Sequence, residues 1–143
     1  MNWKEEAIEK LRKYDAMRQA EKNLPQEISR LEQEAASLHA AGFDGKVMSS
    51  AVRGREDALL NNMVCREELH LAFSQAQQWL TVADRALGAL TPEEKLILHR
   101  LYICPERGAV DRLCAELGAE QSTVYRKRDK ALHRFTLALY GTA

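Results

Sequence analysis

An all-α fold follows from three features of this 143-residue sequence. Apolar residues recur at three- and four-residue steps through most of the chain, which is the period of an amphipathic helix. The composition is rich in Ala, Leu, Glu, Lys and Arg, with few aromatics and three prolines. The stretch Leu90-Thr91-Pro92-Glu93-Glu94 is written as a helix start. Together they predict a helical hairpin or coiled-coil arm over residues 1–89, carrying a loop at 40–55, followed by a helical domain over residues 90–143. A chain of this length holds one ordinary domain, or a small domain plus an extended arm.

The first helix is expected from Trp3 to about Asn23, with Ile8, Leu11, Tyr14 and Met17 at helical intervals among charged residues. Leu24-Pro25 should interrupt it, because proline lacks an N–H and pushes the preceding residue away from helical angles. A second helix then restarts at Pro25 with Ile28, Leu31, Ala35 and Leu38 on one stripe. Narrow apolar seams with charged faces pair with other helices, within one chain or between two copies. From Ala40 to Arg55 the period lapses, and Gly42, Gly45, Ser49, Ser50 and Gly54 predict a long loop. Its Lys46, Arg53 and Arg55 are solvated side chains or contacts to nucleic acid.

A third helix is expected from about Glu56 to Leu87. Leu69, Phe73, Ala76, Leu80, Ala83 and Leu87 form a near-heptad series, whereas Leu59, Leu60, Met63 and Val64 follow a shifted seam. The boundary falls at Gly88-Ala89-Leu90. Thr91 then serves as an N-cap, Pro92 occupies the first turn and Glu94 closes a capping box. This helix carries Leu96, Ile97, Leu101 and Tyr102 and must stop before Pro105. Cys104 to Gly108 turns, and Val110, Leu113, Cys114 and Leu117 give the next short helix its buried side.

The rest of the chain is organised around its C-terminal helix pair. A helix over Arg112 to Leu117, the turn Gly118-Ala119-Glu120, and a helix from Gln121 to about Tyr140 have the layout of a helix-turn-helix. On the last helix Val124, Ala131, Leu132, Phe135, Ala138 and Leu139 share one side, and Ser122, Arg126, Asp129 and His133 share the other. Arg and Gln carry the paired donors and acceptors that read base edges in the major groove, so Gln121, Ser122, Tyr125 and Arg126 are the expected base contacts. Thr123, Lys127, Lys130 and Arg112 are the expected phosphate contacts, with Arg128 and Arg134 adding basic charge. The bland alternative is a surface helix with a solvated basic face.

On these residues a resemblance rests. Leu90-Thr91-Pro92-Glu93-Glu94, Leu101-Tyr102, Leu113-Cys114-Ala115-Glu116-Leu117-Gly118, Thr123-Val124-Tyr125 and Lys130-Ala131-Leu132 resemble region 4 of sigma-70-type factors, a wingless helix-turn-helix that reads a promoter element. The tail ending Leu139-Tyr140-Gly141, with the charged helical front half, resembles small phage regulators of the ArpU and RinA type. The resemblance implies a sequence-specific, phage- or prophage-derived transcription regulator that binds double-stranded DNA, with RNA polymerase and a second copy of the chain as further partners. The chain departs from the family at Ala109 and Arg112, where a Thr and a Glu often cap the first helix of the motif, and at Glu120, where Thr or Ser is usual. Arg128 also stands where an aliphatic residue is common, which predicts a stem lying along the core and a solvated head.

Net charge is zero, divided as a small negative excess before residue 93 and a small positive excess after it. That predicts modest, salt-sensitive affinity for nucleic acid and help from a partner or a second copy. No apolar run approaches the length a bilayer requires and the start is charged, so a cytoplasmic protein without a membrane partner is expected. Cys65, Cys104 and Cys114 are odd in number and lack CxxC spacing, predicting reduced, mostly buried thiols. His99, Cys104, Cys114 and His133 match no zinc spacing, and phosphate-cradling loops, nucleophile elbows and HExxH are absent, so neither metal, cofactor nor enzymatic activity is expected. Two other readings compete: a helical adaptor that binds polymerase or another protein, and a small-terminase-like packaging protein. In the latter, the DNA-binding motif usually precedes the oligomerising helices, the reverse of the order here.

Overall fold

A computed structural model describes residues 2–41 and 49–143, with side chains other than those of residues 41 and 49–52. Two long helices come first, α1 (Trp3–Ala41) and α2 (Ser49–Gly88). Three shorter ones follow: α3 (Pro92–Leu98), which runs into a π turn at His99–Ile103, then α4 (Ala109–Leu117) and α5 (Gln121–Tyr140). No strand occurs among the described residues, and none of their helices is long and apolar enough to cross a membrane. The all-α prediction therefore holds.

Two predicted breaks are instead helical. Pro25 lies inside α1 on an exposed position, and the helix continues through it. The lost hydrogen bond and the ring clash cost about 3 kcal/mol. Burying Ile28, Leu31 and Ala35 beyond the proline returns more than that, at roughly 1.5–3 kcal/mol for each large side chain. Both ends of the predicted loop 40–55 are also helical, since Ala40 and Ala41 belong to α1 and residues 49–55 to α2. Gly54 alone, at a cost of about 1 kcal/mol, is too weak a breaker to end so long a helix. Residues 42–48, with Lys46 among them, lie outside the described residues.

The chain groups into two compact units, Met1–Arg18 with Gln78–Ala143, and Gln19–Gln77. The division cuts both long helices rather than falling at Leu90. The reason is visible in the larger unit, where Ala7 and Leu11 of α1 and Ala86 of α2 share one buried cluster with Leu90, Leu98, Ile103, Ala131, Leu132 and Phe135. A second cluster, Ile97, Leu113 and Val124, joins α3, α4 and α5, with Leu96, Leu101, Cys114 and Leu117 around it. The wide π turn, closed by the Cys104 N–H donating to the His99 carbonyl at 2.9 Å, lets Leu98 and Ile103 face the first cluster. Ile97 and Leu101 face the second. Beside the first cluster the Tyr14 hydroxyl donates to Asp84 at 2.5 Å, and Arg18 donates to both, at 2.6 and 2.8 Å.

In the smaller unit, Ile28, Leu31 and Ala35 of α1 are buried, as their stripe predicts. On α2 the heptad spacing from Ala76 and Phe73 through Leu69 continues to Arg66, Asn62 and Leu59 without a shift. Leu60, Met63 and Val64 consequently face solvent, together with Leu71. Asn62 is buried in their stead, donating through Nδ2 to the Leu31 carbonyl at 2.8 Å and accepting from Arg66 Nε at 2.8 Å. A polar residue with both groups satisfied can hold a seam position without an orphaned partner. Cys65 is exposed, against the expectation of burial, while Cys104 and Cys114 are half-buried free thiols.

Candidate nucleic-acid interface

The start of α3 is the most explicit local signal in the chain, and it forms as written. Thr91 Oγ1 accepts from the Glu94 N–H at 3.2 Å, and the Thr91 N–H donates to Glu94 Oε1 at 3.2 Å, with Pro92 in the first turn. α4 begins at Ala109, directly after the expected turn Cys104 to Gly108 and three residues ahead of the Arg112 given for the helix-turn-helix layout; Gly108 stands at φ 74°, and no side chain caps the helix. Gly118, at φ 61°, ends α4 in the left-handed region, where a Cβ costs roughly 1–2 kcal/mol. Glu120 precedes α5 without a side-chain cap.

α5 presents its predicted apolar side inward at Val124, Ala131, Leu132 and Phe135, with Leu139 half-buried. Ala138 is exposed instead of packed, and Thr136 is buried, its hydroxyl donating to the Leu132 carbonyl at 2.6 Å. That back-bond meets the polar need of a core threonine. The outward side divides into two adjacent stripes: Ser122, Arg126, Asp129 and His133, and beside it Thr123, Lys127, Lys130 and Arg134.

The candidate base contacts differ in how free they are. Ser122 and Arg126 are exposed and Gln121 is exposed but bonded, its Nε2 donating to the Tyr125 hydroxyl at 3.3 Å. Tyr125 is half-buried, with the Arg128 guanidinium 4.9 Å from its ring centroid. Arg128 also donates to Asp129 at 2.9 Å, so its head is engaged on the surface rather than simply solvated. Lys4 of α1 reaches the same Asp129 oxygen, Oδ1, at 3.3 Å. Burial works to raise the Asp129 carboxyl, but the hydrogen bond from Arg128 and the nearby Lys4 outweigh it and hold the group below its ordinary range. A groove of about 530 Å³ runs between the first residues of α1 and the later turns of α5, past Trp3, Asp129, His133 and Thr136. The α5 residues that line this groove begin at Asp129, and Gln121, Ser122 and Arg126 on the first turns are exposed.

Two of the four candidate phosphate contacts are paired, as is Arg134 beside them. Lys127 is bonded to Glu93 and Arg112 to Glu106. Arg134 donates to Glu94 Oε1 at 3.0 Å. Thr123 is half-buried, and Lys130 is exposed with no ion-pair partner among the described residues. Glu93, Glu94 and Glu106 thus belong to this surface, although nothing in the sequence selects them for it. Glu93 and Glu94 read there only as helix-start residues, and their separations of 34 and 40 residues from Lys127 and Arg134 carry no local signal. Among the described residues no three His, Cys, Asp or Glu side chains gather as a metal site would require. Comparison with protein-family models, with curated proteins and with solved structures finds no match to this chain.

Proposed function

We propose that this chain is a sequence-specific DNA-binding transcription regulator in which α4, the Gly118 turn and α5 act as a helix-turn-helix of the sigma region 4 kind. The observation that carries the reading is the open Ser122–Arg126 face on the first turns of α5, directly after a left-handed glycine turn and beside a stripe of cations. A helix about 10–12 Å across fits a major groove about 12 Å wide. Arg126 supplies a bidentate donor for guanine, Ser122 a donor or acceptor, and Gln121 an amide for adenine once it leaves Tyr125. The regulator works in the manner of the small phage proteins that the chain resembles, as a dimer through the N-terminal helices or beside RNA polymerase.

One observation favours a second reading, an adaptor that binds RNA polymerase without reading DNA. Lys127, Arg112, Arg128 and Arg134 are each paired with a carboxylate, which leaves less positive charge for phosphates. Binding of the purified protein to random-sequence duplex DNA, with sequencing of the retained fraction, separates the two. An enriched motif supports the regulator, and its symmetry reports a dimer. Absence of enrichment at low salt supports the adaptor.

A further inference from the structure

Glu93 occupies the first turn of α3, and the capping box anchors that turn. α3 is locked against α5 by the Ile97 and Val124 packing of the second buried cluster. The backbone that carries Glu93 is therefore held beside α5, with its carboxylate within reach of Lys127. The carboxylate bonds Lys127, with both groups partly solvated at 39% and 43% side-chain exposure. Lys127, Lys130 and Arg134 line one groove of about 200 Å³ with Glu93 and Glu94. Within it, Oε2 of Glu94 is buried without a hydrogen-bond partner, so the groove holds more acceptor capacity than its cations satisfy. On α4, Arg112 is bonded to Glu106 in the same way.

Building on the DNA-binding reading, we infer that Glu93 and Glu106 stand in for nucleic-acid phosphates in the free protein, and that binding DNA exchanges each acid–base pair for a phosphate contact. A cation that meets a phosphate releases a counterion from the duplex. A cation that must first leave a carboxylate frees that carboxylate to take up a counterion, which cancels part of the release. Lys127 and Arg112 then contribute little to the salt dependence of binding, whereas Lys130, a phosphate contact without an ion-pair partner among the described residues, contributes fully. The carboxylates thus hold down affinity for arbitrary DNA while the bases are read by Ser122 and Arg126.

The test uses the full-length protein and a short mixed-sequence duplex, with binding measured across a salt series for wild type, Glu93→Gln, Glu106→Gln, Lys127→Ala and the Glu93→Gln/Lys127→Ala double variant. Glu93→Gln and Glu106→Gln are each expected to tighten binding roughly two- to fivefold, the range that exposed ion pairs can supply. Each should steepen the slope of log K against log salt by up to about one unit. With Ala at 127 the Glu93→Gln gain should vanish, and Lys127→Ala should cost more in the Glu93→Gln protein than in wild type. Circular dichroism of each variant establishes that the fold is kept. If the duplex is bound but Glu93→Gln leaves affinity unchanged or lowers it, the exchange is wrong and the DNA-binding reading stands. A gain that persists with Ala at 127 reduces the effect to net charge and also overturns it. If neither wild type nor any glutamine variant binds the duplex at low salt, the DNA-binding reading itself fails.

Discussion

Arg126 and Lys130 are the two cations in the first three turns of α5 without an ion-pair partner among the described residues; Lys127 and Arg128 are held by Glu93 and Asp129. The two are expected to behave differently because they stand on different stripes. Arg126, in line with Ser122, is placed for bases, and Arg126→Ala should weaken specific binding by about 1–3 kcal/mol and relax discrimination at its position. A competition assay with single-base site variants checks this, and unchanged discrimination removes Arg126 from readout. Lys130, in line with Thr123, is placed for the backbone. Lys130→Ala should weaken all sequences alike and flatten the salt slope by about one unit. A sequence-dependent loss in the same assay would contradict that placement. Asn62 shows the same logic in the interior, since its amide can be buried because the Leu31 carbonyl and Arg66 satisfy both of its ends.

At the scale of elements, the long helices are decided by packing and the short ones by their ends. α1 passes through Pro25 because the buried stripe beyond it outweighs a local cost of about 3 kcal/mol. Pro25→Ala restores a hydrogen bond and removes the clash, but loosens the unfolded chain at a cost of about 0.4–1 kcal/mol. The net expectation is a gain of about 2 kcal/mol, read as a higher midpoint in urea with an unchanged slope. A loss of stability there would mean that the helix is bent to advantage at the proline. α4 and α5, by contrast, have no side-chain caps, and the turn between them depends on Gly118 at φ 61°. Gly118→Ala should destabilise by about 1–2 kcal/mol through backbone strain alone, because open space surrounds the position where a Cβ would stand. Equal stability of the variant in a denaturant titration would show that the turn relaxes out of the left-handed region.

For the molecule as a whole, zero net charge conceals a surface on which acids and bases are matched at close range. Among the described residues three carboxylates lie below their ordinary range. For Asp84 and Asp129 burial acts to raise the group, and hydrogen bonds from Tyr14 and Arg18, or from Arg128, outweigh it. For Glu27 the hydrogen bond from Arg30 is the main cause. A carboxyl depressed in the folded state binds protons less readily there than in the unfolded chain, so unfolding takes up protons at acid pH. The stabilisation is therefore complete above the ordinary carboxylate pKa of about 4 and is lost as pH falls through the lower folded values. Thermal midpoints should be flat near neutrality and drop below about pH 4. Asp84→Asn should lower the neutral plateau and shallow the acid fall, and an unaltered acid limb would exclude Asp84 as a contributor.

What the sequence determined by itself is whatever depends on neighbours a few residues apart. The all-α class, the capping box at Thr91, the stop before Pro105, the turn at Gly118 and the buried side of α5 at Val124, Leu132 and Phe135 all arise from period and end chemistry. Those signals are local because helix hydrogen bonds and caps span three or four residues. The tertiary structure decided the rest. It carried α1 through Pro25 and kept α2 in one heptad register with Asn62 inside and Leu60 outside. It also set the candidate interface's charge, through the pairing of Glu93 with Lys127 and Glu94 with Arg134. These outcomes join groups far apart in the chain or weigh burial against a local penalty. The energy that selects them arises only when the helices meet.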